Sequence, residues 1–195
     1  MVIDTEHVIV LDGRGCAVAI RPKVGVHGPS TPLHLAFSCY AVDDAGRVLL
    51  AQRARSKRTF PGVWSNACCG HPQIGETLRE AVERRLREEL GVVVERAAVV
   101  LPDFTYRASM DDGTVEHERC PVVRARWTGA GDEPRLDPTE VETAGWQTWR
   151  QCLDLAGDPA ASPWYRLQME RLAPLGEPAG WPAADLALLP PALSW

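Results

Sequence analysis

Residues 64–92 read WSNACCGHPQIGETLREAVERRLREELGV and carry the strongest structural signals in the chain. Thr77, followed by Glu80, has the spacing of a capping box, and Gly91 is a residue that readily adopts the left-handed conformation that ends a helix. Between these two ends, apolar residues recur at every fourth position, as on one buried helical face: Leu78, Val82, Leu86 and Leu90. The stretch therefore predicts a loop with cysteine and histidine that runs directly into an amphipathic helix.

Charged residues in and just before this helix lie away from its apolar face: Glu76, Arg85, Glu88 and Glu89. Arg85 and Glu89 are spaced to lie one turn apart, and a simple surface ion pair worth about 0.2–0.5 kcal/mol would explain these two residues. It would not explain the whole run of carboxylates.

The composition limits the class of protein. A chain of 195 residues suits one domain, which we place at residues 1–172. Five prolines follow this domain and predict a loosely packed or disordered tail over residues 173–195. A net charge of −5 gives no overall attraction to nucleic acid or to an anionic membrane, so we expect neither as a partner.

The amino-terminal residues 1–7 lack a basic region followed by an apolar core, and no apolar run in the chain approaches the roughly 18 residues that span a bilayer. We therefore expect a soluble, cytoplasmic protein, and we expect it to be a monomer. The six cysteines contain no C-x-x-C pair, and a domain of this size needs no disulfide, so we expect them to be reduced.

Alternating apolar residues and turn signals predict several strands. The pattern predicts an amino-terminal hairpin of residues 7–11 and 16–20 around Asp12-Gly13, and a second, more apolar hairpin of residues 34–42 and 47–53. Residues 115–127 read as a further strand. Successive strand residues point to opposite faces, so Glu116 and Glu118 share one face. These two like charges repel unless a cation joins them, although on an exposed strand water would suffice.

Three histidines lie in loops or at strand starts near these features: His27, His34 and His71. Three imidazoles together with the carboxylates of Glu116 and Glu118 would suit a five- or six-coordinate divalent ion such as Mn²⁺, Mg²⁺ or Zn²⁺. No compact motif connects these residues, so spacing alone leaves a metal site and separate surface residues as alternatives.

A basic cluster lies shortly before the cysteine-containing loop: Arg53, Arg55, Lys57 and Arg58. Such clusters are commonly solvated loops. Its closeness in sequence to Cys69 nevertheless makes a small polyanionic ligand a second interpretation.

Six blocks of the chain form a recognisable pattern: Leu33-His34-Leu35-Ala36-Phe37-Ser38, Arg53-Ala54-Arg55-Ser56-Lys57, Pro61-Gly62-Val63-Trp64-Ser65-Asn66, Cys69-Gly70-His71-Pro72, Asp103-Phe104-Thr105-Tyr106-Arg107-Ala108 and Glu116-His117-Glu118. These blocks, in matching order between about residues 5 and 170, resemble those of type 1 isopentenyl-diphosphate isomerase. The resemblance implies an α/β fold, a Nudix-like α/β/α sandwich with a mixed central sheet and an extra N-terminal hairpin.

The region from Gly70 to Val92 also resembles the Nudix pattern, which it matches at Gly70, Glu76, Arg84, Leu86, Glu88, Glu89, Gly91 and Val92. Position 85 departs from it, because a Nudix hydrolase has Glu where this chain has Arg85. That carboxylate helps to hold the Mg²⁺ ions that activate water, so a cation there favours keeping a diphosphate intact. The departure argues for an isomerase over a hydrolase.

The resemblance also implies the reaction and its residues. Isopentenyl diphosphate and dimethylallyl diphosphate would interconvert through a tertiary carbocation-like state, with Cys69 and Glu118 as the proton-transfer pair. Tyr106 would hydrogen-bond near Glu118, and Trp164 would offer a π face to the cation. By the same resemblance, the metal ligands would be His27, His34, His71, Glu116 and Glu118.

The diphosphate contacts implied by the family are Lys23, Arg53, Lys57 and Arg85, with a Mg²⁺ ion that bridges the phosphates to Glu89. Two alternatives stay open: a Nudix diphosphohydrolase, and a non-catalytic protein that binds the diphosphate. Three further points stay open: which of Cys69 and Glu118 gives the first proton, which metal occupies the histidine site, and what role Cys68 has.

Overall fold

The computed structural model describes residues 6–127, 129 and 133–195. Residues 1–5 of the predicted domain, and residues 128 and 130–132 that follow the strand predicted over residues 115–127, lie outside the described residues. The described strands are β1 His7–Leu11, β2 Ala17–Pro22, β3 His34–Leu35, β4 Phe37–Val42, β5 Val48–Arg53, β6 Trp64–Ser65, β7 Cys68–Gly70, β8 Val94–Leu101, β9 Thr105–Ser109, β10 Val115–Arg119, β11 Val122–Trp127 and β12 Val141–Gln147. The α-helices are α1 Leu78–Leu90, α2 Trp149–Ala156 and α3 Pro163–Leu172.

The larger of two sheets has seven strands. Its main path runs β12–β5–β4–β11–β8, with β6 paired to β5 and β7 paired to β4. The pairing of β4 with β11 is parallel, whereas β11–β8, β12–β5, β4–β5, β4–β7 and β5–β6 are antiparallel. The mixed character that was predicted for the central sheet is confirmed.

Helix α1 covers one face of the larger sheet and has the predicted ends. The Thr77 side chain accepts a hydrogen bond from the Glu80 amide, and the Glu80 side chain accepts one from the Thr77 amide. Gly91 ends the helix in the left-handed conformation with φ of 63°. All four stripe residues are fully buried in one core with β4, β5 and β11: Leu78, Val82, Leu86 and Leu90.

Helices α2 and α3 cover the opposite face of the same sheet. Side chains alternate along β4, so Phe37 and Cys39 enter the core under α1, whereas Tyr40 enters a second core with Tyr165 and Leu172 of α3. The result is the α/β/α sandwich that the fold class predicted.

The smaller sheet has five strands in the order β2–β1–β3–β10–β9, and it contains the predicted N-terminal hairpin, β1 and β2. The hairpin therefore belongs to this second sheet and not to the central one. The chain crosses between the sheets at Ala36 and again at residues 120–121. Because β3 pairs in parallel with β10 and β4 with β11, these two segments run side by side through both sheets. Their register places His34 opposite Glu118.

The segment 173–195 packs against the domain, although its prolines predicted a loosely packed or disordered tail. Trp181 is only 2% exposed, and its ring meets Tyr40 edge-on with centroids 5.6 Å apart. Leu189 and Leu193 are buried in the core under α1. That prediction failed because proline restricts the backbone without preventing the burial of apolar side chains between the prolines.

Backbone contacts also hold this segment. The Leu78 amide at the start of α1 donates to the Ser194 carbonyl at 2.8 Å, and the Ala184 amide donates to the Val99 carbonyl at 2.8 Å. Arg124 of β11 donates to the carbonyls of Pro178, Ala179 and Trp181. Within the described part of the chain, no helix combines the length and apolar character needed to cross a bilayer.

Candidate active site

A cavity of about 620 Å³ is lined by residues of both sheets, of α1 and α3 and of the loops between them. Nearly all of the predicted site residues line it: Lys23, His27, Arg53, Lys57, Cys69, His71, Arg85, Glu89, Tyr106, Glu116, Glu118 and Trp164. The exception is His34, which is fully buried and contacts Glu118 instead. The fold thus brings together residues that lie far apart in the sequence.

Four of the predicted site residues form a group of nitrogen and oxygen atoms that could bind a cation. His27, His34, His71 and Glu118 each offer one ligand atom, and these atoms all lie within 4.8 Å of one another. Glu118 Oε1 is 3.4 Å from His34 Nε2 and 3.3 Å from His71 Nε2. We name these four residues the histidine cluster.

Local contacts fix each histidine. His34 Nδ1 lies 2.9 Å from the Pro32 carbonyl, which accepts its hydrogen and leaves Nε2 for the cluster. The loop with His27 is held to β10 by Thr31, whose hydroxyl contacts the carbonyls of Gly28 and Val115. The carbonyl of His71 accepts a hydrogen bond from Arg84 at 3.3 Å.

The histidine cluster fits a divalent cation on two grounds. Burial lowers the pKa of His27 and of His71 to about 4, so both imidazoles are neutral at neutral pH, as metal ligands must be. In addition, three buried ring nitrogens lack a hydrogen-bond partner among the residues that the structure describes: His27 Nε2, His34 Nε2 and His71 Nδ1. A buried polar atom without a partner costs about 1–3 kcal/mol, which a bound cation would offset for nitrogens that face it.

Glu116, the fifth predicted ligand, lies outside the group of mutually close ligand atoms. It is connected to Glu118 through Tyr106, whose hydroxyl is 2.9 Å from Glu116 Oε2 and 2.8 Å from Glu118 Oε2. Both carboxyls are buried, so the solvated-strand alternative is excluded. Burial and the charge of Glu118 raise the pKa of Glu116.

The pKa of Glu118 shifts in the opposite direction from that of Glu116. Burial acts to raise the pKa of Glu118, but contacts with His34 and His71 outweigh burial and hold that pKa well below its usual range. Two neighbouring carboxyls with opposite shifts form a pattern typical of sites that move protons.

Cys69 lies on β7 and reaches the cavity from the larger sheet, whereas Glu118 reaches it from the smaller sheet. The Cys69 sulfur is 3.3 Å from the Ser38 hydroxyl and 3.3 Å from Asn66 Oδ1. Burial raises the pKa of Cys69 to about 12, so this thiol keeps its proton at neutral pH. Cys68 packs in the core under α1, and all six cysteines are free.

The four predicted diphosphate contacts present their cations to the same cavity. Carboxylates pair with three of them: Lys23 with Glu6, Lys57 with Glu140, and Arg85 with Glu89, Glu140 and Glu6. The Arg53 guanidinium donates to the Thr59 carbonyl at 2.9 Å and lies 5.6 Å from the centre of the Trp164 ring. The cavity therefore brings several cations together, and carboxylates that also line it balance their charge.

Arg85 and Glu89 are buried, so a surface ion pair does not describe them. Arg85 Nη2 is 2.6 Å from Glu89 Oε1, and both side chains are less than 10% exposed. Burial raises the pKa of Glu89 against the opposing effect of Arg85. Gly70 allows the Arg85 side chain and the Phe37 ring to pack against β7, because a β-carbon at position 70 would lie 3.0 Å from Arg85 Cγ and 3.2 Å from the Phe37 ring.

Trp164 forms an aromatic wall of the cavity and is 2% exposed. Its indole N–H donates to the Ser65 hydroxyl at 2.7 Å, and this bond fixes the plane of the ring. Tyr106 lies beside it with ring centroids 5.7 Å apart.

Sequence reasoning assigned no role to several polar residues at this site: Ser38, Asn66, Glu140 and Gln168. Ser38 and Asn66 end two of the motif blocks, and Gln168 follows Trp164 by one helical turn, so position could have indicated these three. Glu140 had no signal, because it comes from a loop that only the fold brings to Lys57.

The chain is similar in sequence and in fold to known proteins. The family model described as the NUDIX domain matches residues 32–168. A Saccharopolyspora erythraea protein named isopentenyl-diphosphate Delta-isomerase is 49% identical over 190 residues, which cover 96% of this chain and 96% of that protein. A Mycolicibacterium vanbaalenii protein of the same name is 50% identical over 171 residues, or 88% of this chain and 93% of that protein.

A crystal structure from Deinococcus radiodurans has a similar fold, with a TM-score of 0.65 over 85% of this chain and 98% of that chain. At 20% identity, this similarity supports the fold alone.

Proposed function

Because the chain belongs to the isopentenyl-diphosphate Delta-isomerase family and to the Nudix superfamily, we propose that it interconverts isopentenyl diphosphate and dimethylallyl diphosphate with Cys69 and Glu118 as its proton-transfer pair. The family assignment makes the protein an isomerase of isoprenoid precursor biosynthesis. It disfavours both alternatives, the diphosphohydrolase and the non-catalytic binding protein.

One observation carries the residue assignment: Cys69 and Glu118 reach the same cavity from two different sheets. The reaction adds a proton to the terminal =CH2 carbon of isopentenyl diphosphate and removes one from C2, the methylene between the branched carbon and the carbon that carries the diphosphate. A tertiary carbocation lies between these two steps, and no atom is gained or lost overall. Two proton carriers that reach the substrate from different sides fit these two steps, and each acts as donor in one direction and as acceptor in the other.

Tyr106 and Trp164 support this pair in the proposal. The Tyr106 hydroxyl bridges Glu118 and Glu116, so it holds the Glu118 carboxylate in place and shares its proton with that group. The Trp164 ring is fixed at the cavity wall, where a π face stabilises a nearby cation by about 0.5–2 kcal/mol.

The basic side of the cavity would hold the diphosphate through Lys23, Arg53, Lys57 and Arg85. The paired carboxylates of Glu6, Glu89 and Glu140 balance these cations without substrate, and the substrate phosphates would replace them as partners. With a diphosphate bound, Glu89 would be free of Arg85 and would contact a Mg²⁺ ion that neutralises the phosphates.

The histidine cluster, with Glu116 as a further candidate ligand, would hold one Mn²⁺, Mg²⁺ or Zn²⁺ ion. A cation there would supply positive charge that changes the proton affinity of Glu118. The predicted cytoplasmic location, the monomeric state and the lack of nucleic-acid or membrane partners stay predictions.

The test is turnover of isopentenyl diphosphate by purified protein with Mg²⁺ in deuterated water. We expect dimethylallyl diphosphate that carries deuterium. Release of phosphate would instead identify a hydrolase. Binding of the diphosphate without product or label, under metal-replete conditions, would identify a non-catalytic homologue and overturn the proposal.

A further inference from the structure

A buried chain of hydrogen bonds connects α3 to the Cys69 thiol. The Tyr40 hydroxyl donates to Gln168 Oε1 at 2.8 Å, and Gln168 Nε2 donates to the Ser38 hydroxyl at 2.8 Å. The Ser38 hydroxyl in turn lies 3.3 Å from Cys69 Sγ. Tyr40, Gln168 and Ser38 are each fully buried, so water does not compete for these bonds.

The direction of donation along this chain is determined at its start. A tyrosine hydroxyl that donates to Gln168 Oε1 fixes the amide so that its nitrogen faces Ser38. Because the Ser38 oxygen accepts this bond, its own proton is directed elsewhere. The sulfurs of Cys69 and Cys120, each 3.3 Å away, are the other groups in contact with it.

A second fixed group holds Cys69 as well. Asn66 Nδ2 donates to the carbonyls of Cys39 at 3.1 Å and Cys68 at 2.6 Å, so Oδ1 faces the Cys69 sulfur. The thiol therefore lies between two oxygens whose positions are set by other residues. Loss of either support would allow the sulfur to move relative to the cavity.

We propose that Gln168, oriented by Tyr40, is a positioning residue that holds the Ser38 hydroxyl against Cys69 and so fixes the sulfur for proton transfer to substrate. This inference rests on the proposed role of Cys69. Packing alone does not require an amide at this position, because many of the residues packed against α3 are apolar or aromatic. Burying an amide there costs free energy unless each polar atom finds a partner.

The test compares Gln168→Met, which keeps the size of the side chain, with Tyr40→Phe, which removes one donor. We expect kcat to fall about 10- to 100-fold in Gln168→Met, since small misplacement of a reacting group has effects of this size. KM should change less than about 3-fold, because Gln168 does not line the substrate cavity. Tyr40→Phe should lower kcat in the same direction.

The matched control is Tyr165→Phe on α3, which removes a buried hydrogen bond to the Cys152 carbonyl of α2 and none of the hydrogen bonds in the chain to Cys69. It should keep the kcat of the wild type. A double-mutant cycle adds a second criterion: in a Ser38→Ala background, Gln168→Met should have little further effect on kcat. Equal effects of Gln168→Met in both backgrounds would overturn the proposal.

A measurement without turnover separates this inference from the proposed function. The S–H stretching band of Cys69 can be assigned by its loss in Cys69→Ala, and hydrogen bonding changes its frequency. We expect the band to shift in Gln168→Met and in Tyr40→Phe. An unshifted band in both variants would refute the positioning role even if the wild type is an active isomerase, whereas an inactive wild type with shifted bands would refute the proposed function alone.

Discussion

Glu118 lies opposite His34 in the parallel pairing of β3 with β10, and its Oε1 is 3.4 Å from His34 Nε2. The relationship depends on the short strand β3, which places an imidazole beside a carboxylate at the point where the chain passes between the sheets. The alternation of β10 turns Glu116 and Glu118 inward and leaves His117 partly exposed. His117, on the strand that pairs with β3 but facing away from Glu118, is thus a matched control for His34.

Metal binding should stabilise the protein through His34. A ligand at about 100 times its dissociation constant adds about 2.7 kcal/mol, which corresponds to a rise in Tm of roughly 5–10 °C for a chain of this size. We expect Mn²⁺ or Zn²⁺ to raise the Tm of the EDTA-treated wild type and of His117→Ala, but not of His34→Ala. Equal shifts in both variants would place the cation elsewhere.

The two adjacent cysteines should respond differently to replacement. Cys69→Ala and Glu118→Gln each remove a proposed proton carrier and should lower kcat by about 10²–10⁴-fold. Cys68→Ala should keep kcat within a few-fold, because Cys68 packs in the core under α1. The measurement is kcat with isopentenyl diphosphate. An inactive Cys68→Ala protein together with an active Cys69→Ala protein would show that Cys68 transfers the proton.

Arg85→Met should destabilise the protein by about 3 kcal/mol, because it leaves the buried Glu89 carboxylate without its cation. The double variant Arg85→Met/Glu89→Gln should recover part of this loss, since the unpaired charge is then absent. Arg79→Met is the control, because Arg79 pairs with Glu83 on the exposed side of α1 and such pairs contribute about 0.2–1 kcal/mol. Urea unfolding measures all three, and equal losses for Arg85 and Arg79 would contradict the prediction.

The stability of the protein should depend on pH through Glu76, which lies in the loop before α1. Burial acts to raise the Glu76 pKa, but hydrogen bonds from Arg84 and from the Gln73 amide lower it below the usual 4.5. A carboxyl with a lowered folded-state pKa stabilises the fold at pH values above its unfolded pKa, and this contribution is lost as pH falls through the folded-state pKa. The Tm difference between wild type and Glu76→Gln should therefore be largest near neutral pH.

That difference should shrink below a pH of about 4.5. Glu83→Gln, which affects an exposed pair on the same helix, should show a smaller difference at every pH. A Tm difference for Glu76→Gln that does not change with pH would exclude the ion pair as its cause.

The sequence predicted helix α1 to its terminal residues, since a capping box, an apolar stripe and a terminal glycine all act within a few residues of one another. It placed Glu116 and Glu118 on one face for the same local reason. It did not predict that Arg85 and Glu89 are buried, because Glu140 and the Phe37 ring come from distant parts of the chain. Position could have indicated Ser38 and Gln168 as site residues, but the hydrogen bond between them could not be predicted, since it joins residues 130 positions apart.

The clearest disagreement concerns the C-terminal segment, and it leads to a prediction about Trp181. This side chain fills space beside Tyr40, the first residue of the hydrogen-bond chain to Cys69. Trp181→Ala should destabilise the protein by about 3–5 kcal/mol because it opens a cavity in a buried aromatic cluster. Leu188→Ala is the control, since Leu188 is 58% exposed in the same segment.

Urea unfolding measures the loss of stability, and kcat under conditions where Trp181→Ala stays folded measures whether Tyr40 has moved. We expect both to fall in Trp181→Ala and neither in Leu188→Ala. If the segment were loosely packed, the two variants would behave alike. A stable Trp181→Ala protein would therefore contradict the packing of residues 173–195 against the domain, whereas a destabilised one with unchanged kcat would confine the role of Trp181 to folding.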